Sequence, residues 1–379
     1  MTRRIVFWSS VQSGGILTGL IRSLRGDGYV ATHRYHLSNQ SYRIKRGRLG
    51  RIWLRTRMYG FYPVQLALFQ LLNRRPGIDV VCTNTFYAPL ITALLRPRSR
   101  KVVHLIYDLF PDALIFGAGR QAGMRIKLAE KLVAWTFKRC DANVFLGEKL
   151  LAHAEKRFGS IPNATIIPVG VDGADFEEVA IADVQVPTTD FLYCGNMGFL
   201  HDTHTLAEGM REVLEASDPP HRARFSIRAS GAQLNKMSGA VADLGRKYPR
   251  SIELAGSLPT SEWQARMRKA QVALVTMIPD AGKVVMPSKT YSAMAAGQAL
   301  LAIAPEDSDL AQLIRQHDCG WIVPPGQPDV FAEIVERILK TPTMLRKKRE
   351  NALQAARAHY DVRVLARRWE ELFEGITSS

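Results

Sequence analysis

Residues 283–326 read KVVMPSKTYSAMAAGQALLAIAPEDSDLAQLIRQHDCGWIVPPG, a pattern of loop, helix, strand, loop, helix, strand. Pro287 suits a helix start, where its missing N–H would have no intrahelical partner in any case. Ser288 and Lys289 then fall in the first turn, where free backbone N–H groups and the helix dipole favour an anion. Tyr291, Met294 and Ala295 share one face at helical spacing, and Gly297 supplies the stop. ALLAIA (299–304) is short and apolar enough for a buried parallel strand. Beyond it, Ser308 is placed to N-cap the next helix, with the Asp309 carboxylate at its start. A cation and an anion at the carboxyl ends of neighbouring strands are what a phosphate and a ribose need. An ordinary βα repeat with a capped helix explains the same residues without a ligand.

The alternation extends in both directions. RRIVFWSS (3–10) reads as a buried strand, followed by the Gly14-Gly15 turn and a helix, the opening unit of a doubly wound α/β domain. IDVVCTNTF (78–86), KVVHLIYDLFPDAL (101–114) and DANVFLG (141–147) continue it. Asp108 stands at a strand's carboxyl end, where a carboxylate can accept a hydroxyl proton or position a substrate. His104 lies inside the same apolar strand, a setting in which a packed core histidine competes with a catalytic one. A second series starts at FLYCGNMG (191–198) and continues through RFSIRASG (224–231) and SIELAGSLP (251–259). Gly195, Asn196 and Gly198 can present backbone N–H groups to a phosphate, and Ser230-Gly231 closes the neighbouring strand. The histidines of HDTH (201–204) have no third ligand in view and read as a solvated helix start rather than a metal site.

PSKTYSAMAAG (287–297), SDLAQLI (308–314), DLFPD (108–112) and IIPVGVD (166–172) together resemble the GT-B glycosyltransferases of the family 4 type. The likeness is to the bacterial polysaccharide branch with a P-S-K-x-Y motif, and it spans almost the whole chain. It implies two Rossmann-like domains facing a cleft: residues 1–170 for the acceptor and 171–356 for the nucleotide sugar. A C-terminal helix, 357–379, would cross back to the first domain. It implies a retaining hexosyl transfer from a nucleotide sugar, with UDP favoured, to a polyprenyl-diphosphate-linked or saccharide acceptor in surface polysaccharide synthesis. Lys289, Asp108 and His104 would be the catalytic candidates. Gly195, Asn196, Gly198, Ser230, Gly231, Gly256, Leu258, Ser288, Lys289, Ser308 and Asp309 would bind the donor, with Gly256 and Leu258 at the base. Gly14, Gly15 and Asp112 would face the acceptor. No metal and no cofactor beyond the donor are expected. Two glutamates of the wider family fall on Val284 and Ser292 here, so a sugar-binding carboxylate is missing. A GT-B sugar-nucleotide 2-epimerase is the enzymatic alternative.

At 379 residues with 46% hydrophobic residues and a mean hydropathy of −0.08, the chain can bury two cores. Four cysteines without a CxxC pair fit a reduced cytoplasmic setting. The opening MTRRIVFWSS is too short in apolar residues for a signal peptide, and no segment is long enough to span a membrane. Charge separates the halves: residues 1–170 carry 27 Lys and Arg against 8 Asp and Glu, whereas residues 171–379 carry 24 against 27. Within the basic half, Arg43, Lys45, Arg46, Arg48, Arg51, Arg55 and Arg57 interleave with Trp53, Tyr59, Phe61 and aliphatic residues. That mixture suits the headgroup layer of an anionic bilayer, and implies peripheral attachment to the inner face of the cytoplasmic membrane. A solvated helix face packed through its leucines is the bland reading of the same residues. No nucleic-acid motif accompanies the charge, so no nucleic-acid partner is expected. A non-enzymatic basic binding protein would explain the charge but leave the PSK and DLFPD motifs without a role.

Overall fold

The computed structural model describes residues 4–12, 15–38, 41, 47–83, 85, 87–113, 115, 123–181, 188–216 and 222–378. They fall into two units, one running as far as Asp172 and taking back the chain from Val362, the other holding Gly173–Asp361.

The first unit carries a six-stranded sheet in the order β2-β1-β3-β4-β5-β6. Its strands are β1 (Arg4–Val11), β2 (Val30–Leu37), β3 (Gly77–Cys82), β4 (Arg100–Ile106), β5 (Ala142–Phe145) and β6 (Ala164–Ile166). All pairings are parallel. The helices are α1 (Gly15–Gly26), α2 (Arg48–Thr56), α3 (Tyr62–Leu72), α4 (Ala88–Leu95), α5 (Met124–Arg139) and α6 (Glu148–Phe158). The central strands are near-continuous apolar runs because helices cover both faces. Trp8, Val81 and His104 lie side by side in register. Tyr62 and Leu66 of α3 and Ala88 and Ala93 of α4 pack on Trp8 and Val81, while Phe137 of α5 lies against His104.

An ion pair is sealed inside this core. The Arg100 guanidinium donates to both oxygens of Asp79, at 2.6 and 2.7 Å, and Nη1 donates to the Arg75 carbonyl at 2.9 Å. The Trp8 indole N–H donates to the Asp79 carboxylate at 2.9 Å. Both charges are fully buried, so this geometry has to offset a large desolvation cost.

Helices α2 and α3 are joined without a break by a π turn, Arg57–Phe61, whose flanking residues stay helical. Pro63 explains the turn. It has no N–H to return to the preceding turn, and its ring crowds the carbonyl there. Widening the helix to a five-residue step, with Tyr62 N–H on the Arg57 carbonyl, absorbs the defect. The Met58 carbonyl takes the Tyr87 hydroxyl at 2.5 Å.

The second unit has a parallel sheet in the order β12-β11-β10-β7-β8-β9: β7 (Thr189–Asn196), β8 (Ala223–Ser230), β9 (Ile252–Ala255), β10 (Val272–Thr276), β11 (Ala299–Ile303) and β12 (Gly320–Val323). Its helices are α7 (Thr203–Ala216), α8 (Leu234–Ala240), α9 (Ala242–Lys247), α10 (Thr260–Lys269), α11 (Lys289–Ala295), α12 (Asp309–His317), α13 (Pro328–Lys340) and α14 (Pro342–Ala355). Phe191, Phe225, Phe331 and Leu301 anchor the core. The winding reverses between β7 and β10. Such a switch point leaves a crevice at the strands' carboxyl ends.

The last helix, α15 (Val362–Ser378), belongs to the first unit. Trp369 meets Phe7 edge-on with centroids 6.0 Å apart, and the Val362 N–H donates to the Val171 carbonyl at 2.9 Å.

Candidate active site

The switch point of the second unit gathers the residues with the chemistry. Lys289, the first residue of α11, is half-buried and turns back onto the end of β7. Its ammonium donates to the Tyr193 phenol oxygen at 2.5 Å and to the Asn196 carbonyl at 3.2 Å. It also stands 3.9 Å from the Tyr193 ring centroid. Tyr193 in turn donates to the Asn196 carbonyl at 2.9 Å. Burial pulls the Lys289 pKa down to about 7, so the side chain is poised to gain from an anion beside it.

The turn after β7 is pinned on both sides. The Met197 N–H bonds the Ser230 carbonyl at 2.6 Å, and the Ile278 N–H bonds the Leu200 carbonyl at 3.0 Å. Gly195 and Gly231 have positive φ, +133° and +120°, which L side chains rarely adopt. A Cβ on Gly231 would lie 2.5 Å from Asn196 Oδ1 and 2.6 Å from the Met197 carbonyl, and one on Gly195 would meet the Lys289 stem at 3.7 Å. Gly195, Asn196, Ser230, Gly231 and Lys289 are thus brought together, with Gly198 on the same turn. Gly256 and Leu258 follow β9 on the sheet's outer edge, about 10 Å from β7 by strand spacing.

Several features differ from the reading of the sequence. Helix α11 is only seven residues long, and the Thr290 and Tyr291 N–H groups bond the Pro287 and Ser288 carbonyls. Its positive contribution is therefore the Lys289 side chain more than free amides. Ser288 is exposed and makes no side-chain cap. Ser308 is the N-cap of α12, as its sequence position implies, but it is fully buried, accepting from the Ala311 N–H and donating to the Pro305 carbonyl, so its hydroxyl is committed to the helix start. Asp309 follows it; burial foremost, then Tyr360 and the Asp309 carboxylate, raise the Tyr291 phenol pKa. His201 is not solvated: its Nδ1 donates to the Thr276 carbonyl at 2.8 Å, and burial with Lys289 nearby drops its pKa to about 3. Asp202 caps α7 through the His204 and Thr205 N–H groups. Tyr193 and Asp202 were missed at this site, although the HDTH string contains Asp202.

In the first unit, Asp108 follows the end of β4 and is half-buried. The Tyr107 and Asp108 N–H groups donate to Thr83 Oγ1 at 2.9 and 3.2 Å, which ties the end of β4 to that of β3. Burial pushes the Asp108 carboxyl up to about 6. His104 sits four residues back inside β4, neutral because burial lowers its pKa to about 3, and tilted against the Phe137 ring with centroids 5.3 Å apart. That places it in the core, away from Asp108. Asp112 is wholly buried, held by His153 at 2.8 Å and Arg157 at 2.9 Å, so its carboxylate braces α6 instead of facing a substrate. Gly15 opens α1, and Gly14 lies outside the described residues. Among the described residues, no three His, Cys, Asp or Glu side chains are close enough to hold a metal ion.

Comparison with known proteins bears on the family and the fold. Residues 20–174 match the family model described as Glycosyltransferase Family 4, and residues 188–341 match that of Glycosyl transferases group 1. The "Probable glycosyltransferase WbjE" of Pseudomonas aeruginosa is 24% identical over 71% of this chain and 68% of its own length. Sucrose-phosphate synthase from Thermosynechococcus elongatus superposes with a TM-score of 0.75 at 13% identity, covering 99% of both chains. Anabaena HepE in complex with UDP-glucose gives 0.69 at 13% identity, over 99% of this chain and 100% of that one. At these identities the structural likeness speaks for the fold, and the family matches speak for the class of enzyme. The chain belongs to the GT-B glycosyltransferases of the family 4 type.

Proposed function

We propose that this protein transfers a hexosyl group, with retention, from a nucleotide sugar to a polyprenyl-diphosphate-linked or saccharide acceptor in bacterial surface polysaccharide synthesis. The observation that carries this reading is the Lys289 ammonium resting on the Asn196 carbonyl and the Tyr193 phenol at the switch point. A donor diphosphate arriving there exchanges two neutral acceptors for a charged one, and keeps Lys289 protonated. The departing diphosphate is then stabilised electrostatically, without an obligatory metal. Asp309 takes ribose hydroxyls, and Gly256 and Leu258 lie at the base. Asp108 positions the acceptor hydroxyl or takes its proton.

UDP is favoured because HepE, a relative by fold, binds UDP-glucose. The excess of 27 basic over 8 acidic residues in the first 170 supports a site that works at the cytoplasmic membrane's anionic inner face. Thermal-shift titration with UDP-, GDP-, ADP- and dTDP-sugars tests the donor, because a ligand that binds only the folded state raises its melting temperature. Transfer to a polyprenyl-diphosphate sugar tests the acceptor. No shift with any donor would remove the proposed reading.

A further inference from the structure

The surface of the helix from Arg48 to Leu72 divides into two unlike faces. Only Tyr62, Leu66 and Gln70 of α3 are buried, at i, i+4 and i+8. The opposite face of this helix, YPVQLALFQLL, has no charge. Val64, Leu68, Leu71 and Leu72 are 57, 52, 54 and 80% exposed. Phe61 and Trp53 extend the stripe across the π turn, edge-on with centroids 5.8 Å apart. A helix apolar on both faces is ordinarily buried on both, yet here one side is open.

We propose that this helix lies in the plane of the bilayer and inserts the Trp53–Leu72 stripe into the boundary of the acyl chains, a hydrophobic anchor added to surface charge. This rests on the lipid-linked acceptor proposed above. The choice of a bilayer over a second copy of the chain comes from charge. Between Gly28 and Ile78 the sequence holds ten Lys and Arg and no acid. A two-fold contact would set this cationic segment against itself, whereas anionic lipid complements it. The anchor is also tied to the acceptor end of the sheet. Tyr87, which bonds the Met58 carbonyl, directly precedes α4 and closely follows Thr83, whose hydroxyl holds the amides of Tyr107 and Asp108.

The test is cosedimentation of the full chain with phosphatidylethanolamine vesicles containing phosphatidylglycerol, at low salt and at about 0.5 M NaCl, where the Debye length is near 4 Å. The wild type is expected to keep substantial binding at high salt. The variant L68Q/L71Q/L72Q should keep its melting temperature and its donor hydrolysis in solution, yet lose at least about tenfold in high-salt partitioning. Wild-type binding abolished by salt would overturn insertion and leave charge alone. Self-association in solution that the variant removes would overturn it too, assigning the stripe to a second copy. Salt-resistant, variant-sensitive binding without glycosyl transfer would sustain the anchor and sink the proposed function instead.

Discussion

Lys289 reaches from the first turn of α11 to the carbonyl of Asn196, 3.2 Å away at the end of β7, and so bridges that helix to one of the two strands between which the sheet reverses its winding. Since burial holds its pKa near 7, the charge on this bridge depends on pH in the physiological range. Nucleotide affinity should weaken as pH rises above about 7, as each binding event has to recruit a proton. Calorimetric titration of UDP from about pH 6 to 9 should show that slope in the wild type and a flatter one in K289R. The linkage to folding has the opposite sense. A lysine with a depressed folded-state pKa contributes a penalty while charged, so the ligand-free fold should gain stability as pH rises from about 7 towards the ordinary lysine value.

G231A should damage the donor site through the backbone. The residue has a φ of +120°, and the added methyl would meet Asn196 Oδ1 and the Met197 carbonyl inside 2.7 Å. Strain of this kind costs on the order of 1–3 kcal/mol. We expect a lower melting temperature and weaker nucleotide binding together. Wild-type values for both would mean that the β7 turn can yield without loss.

Asp108 carries an acid pKa raised to about 6 by burial. The folded state therefore holds its proton more tightly than the unfolded one, and stability is lost as pH climbs from the ordinary carboxyl range to about 6. D108N removes that loss and should stabilise the protein at neutral pH by about 1–3 kcal/mol, while transfer falls and donor affinity is unchanged. Denaturant melts at pH 4.5 and 7.5, beside donor titrations, separate these effects. A variant that is destabilised at neutral pH would show that the carboxylate is structural.

The Asp79–Arg100 pair makes a prediction about the fold alone. D79N leaves the guanidinium of a fully buried Arg100 without its counter-charge, a change that typically costs about 3–5 kcal/mol. Chemical denaturation measures it directly. A loss below about 1 kcal/mol would mean that water reaches the site.

The strands of the second unit were most legible where they are central and buried. ALLAIA reads as a strand since all of β11 is buried between helices. β2, by contrast, escaped notice. VATHRYHL is an edge strand, exposed or half-exposed at most positions, and its histidines and arginine obscure the apolar pattern. The site was half legible for a related reason. PSK announced Lys289, but the phenol beneath it belongs to the apolar strand FLYCGN, where a tyrosine looks like core. Asp112 misled because DLFPD has two aspartates, and only the fold reveals that His153 and Arg157, some forty residues on, claim the second. The open side of α3 was hidden by composition, since YPVQLALFQLL carries no polar face to mark what is left exposed.

The central claim is that Lys289 stabilises the departing nucleotide diphosphate, and single-turnover transfer tests it most directly. Purified wild type and K289A would be mixed with the nucleotide sugar that gives the largest thermal shift and with a polyprenyl-diphosphate sugar, and nucleotide release followed in time. We predict a rate lower by about 10²–10³ in K289A, with an unchanged melting temperature in the absence of ligand or a slightly higher one. Turnover within a few-fold of wild type in a folded K289A protein would contradict the account.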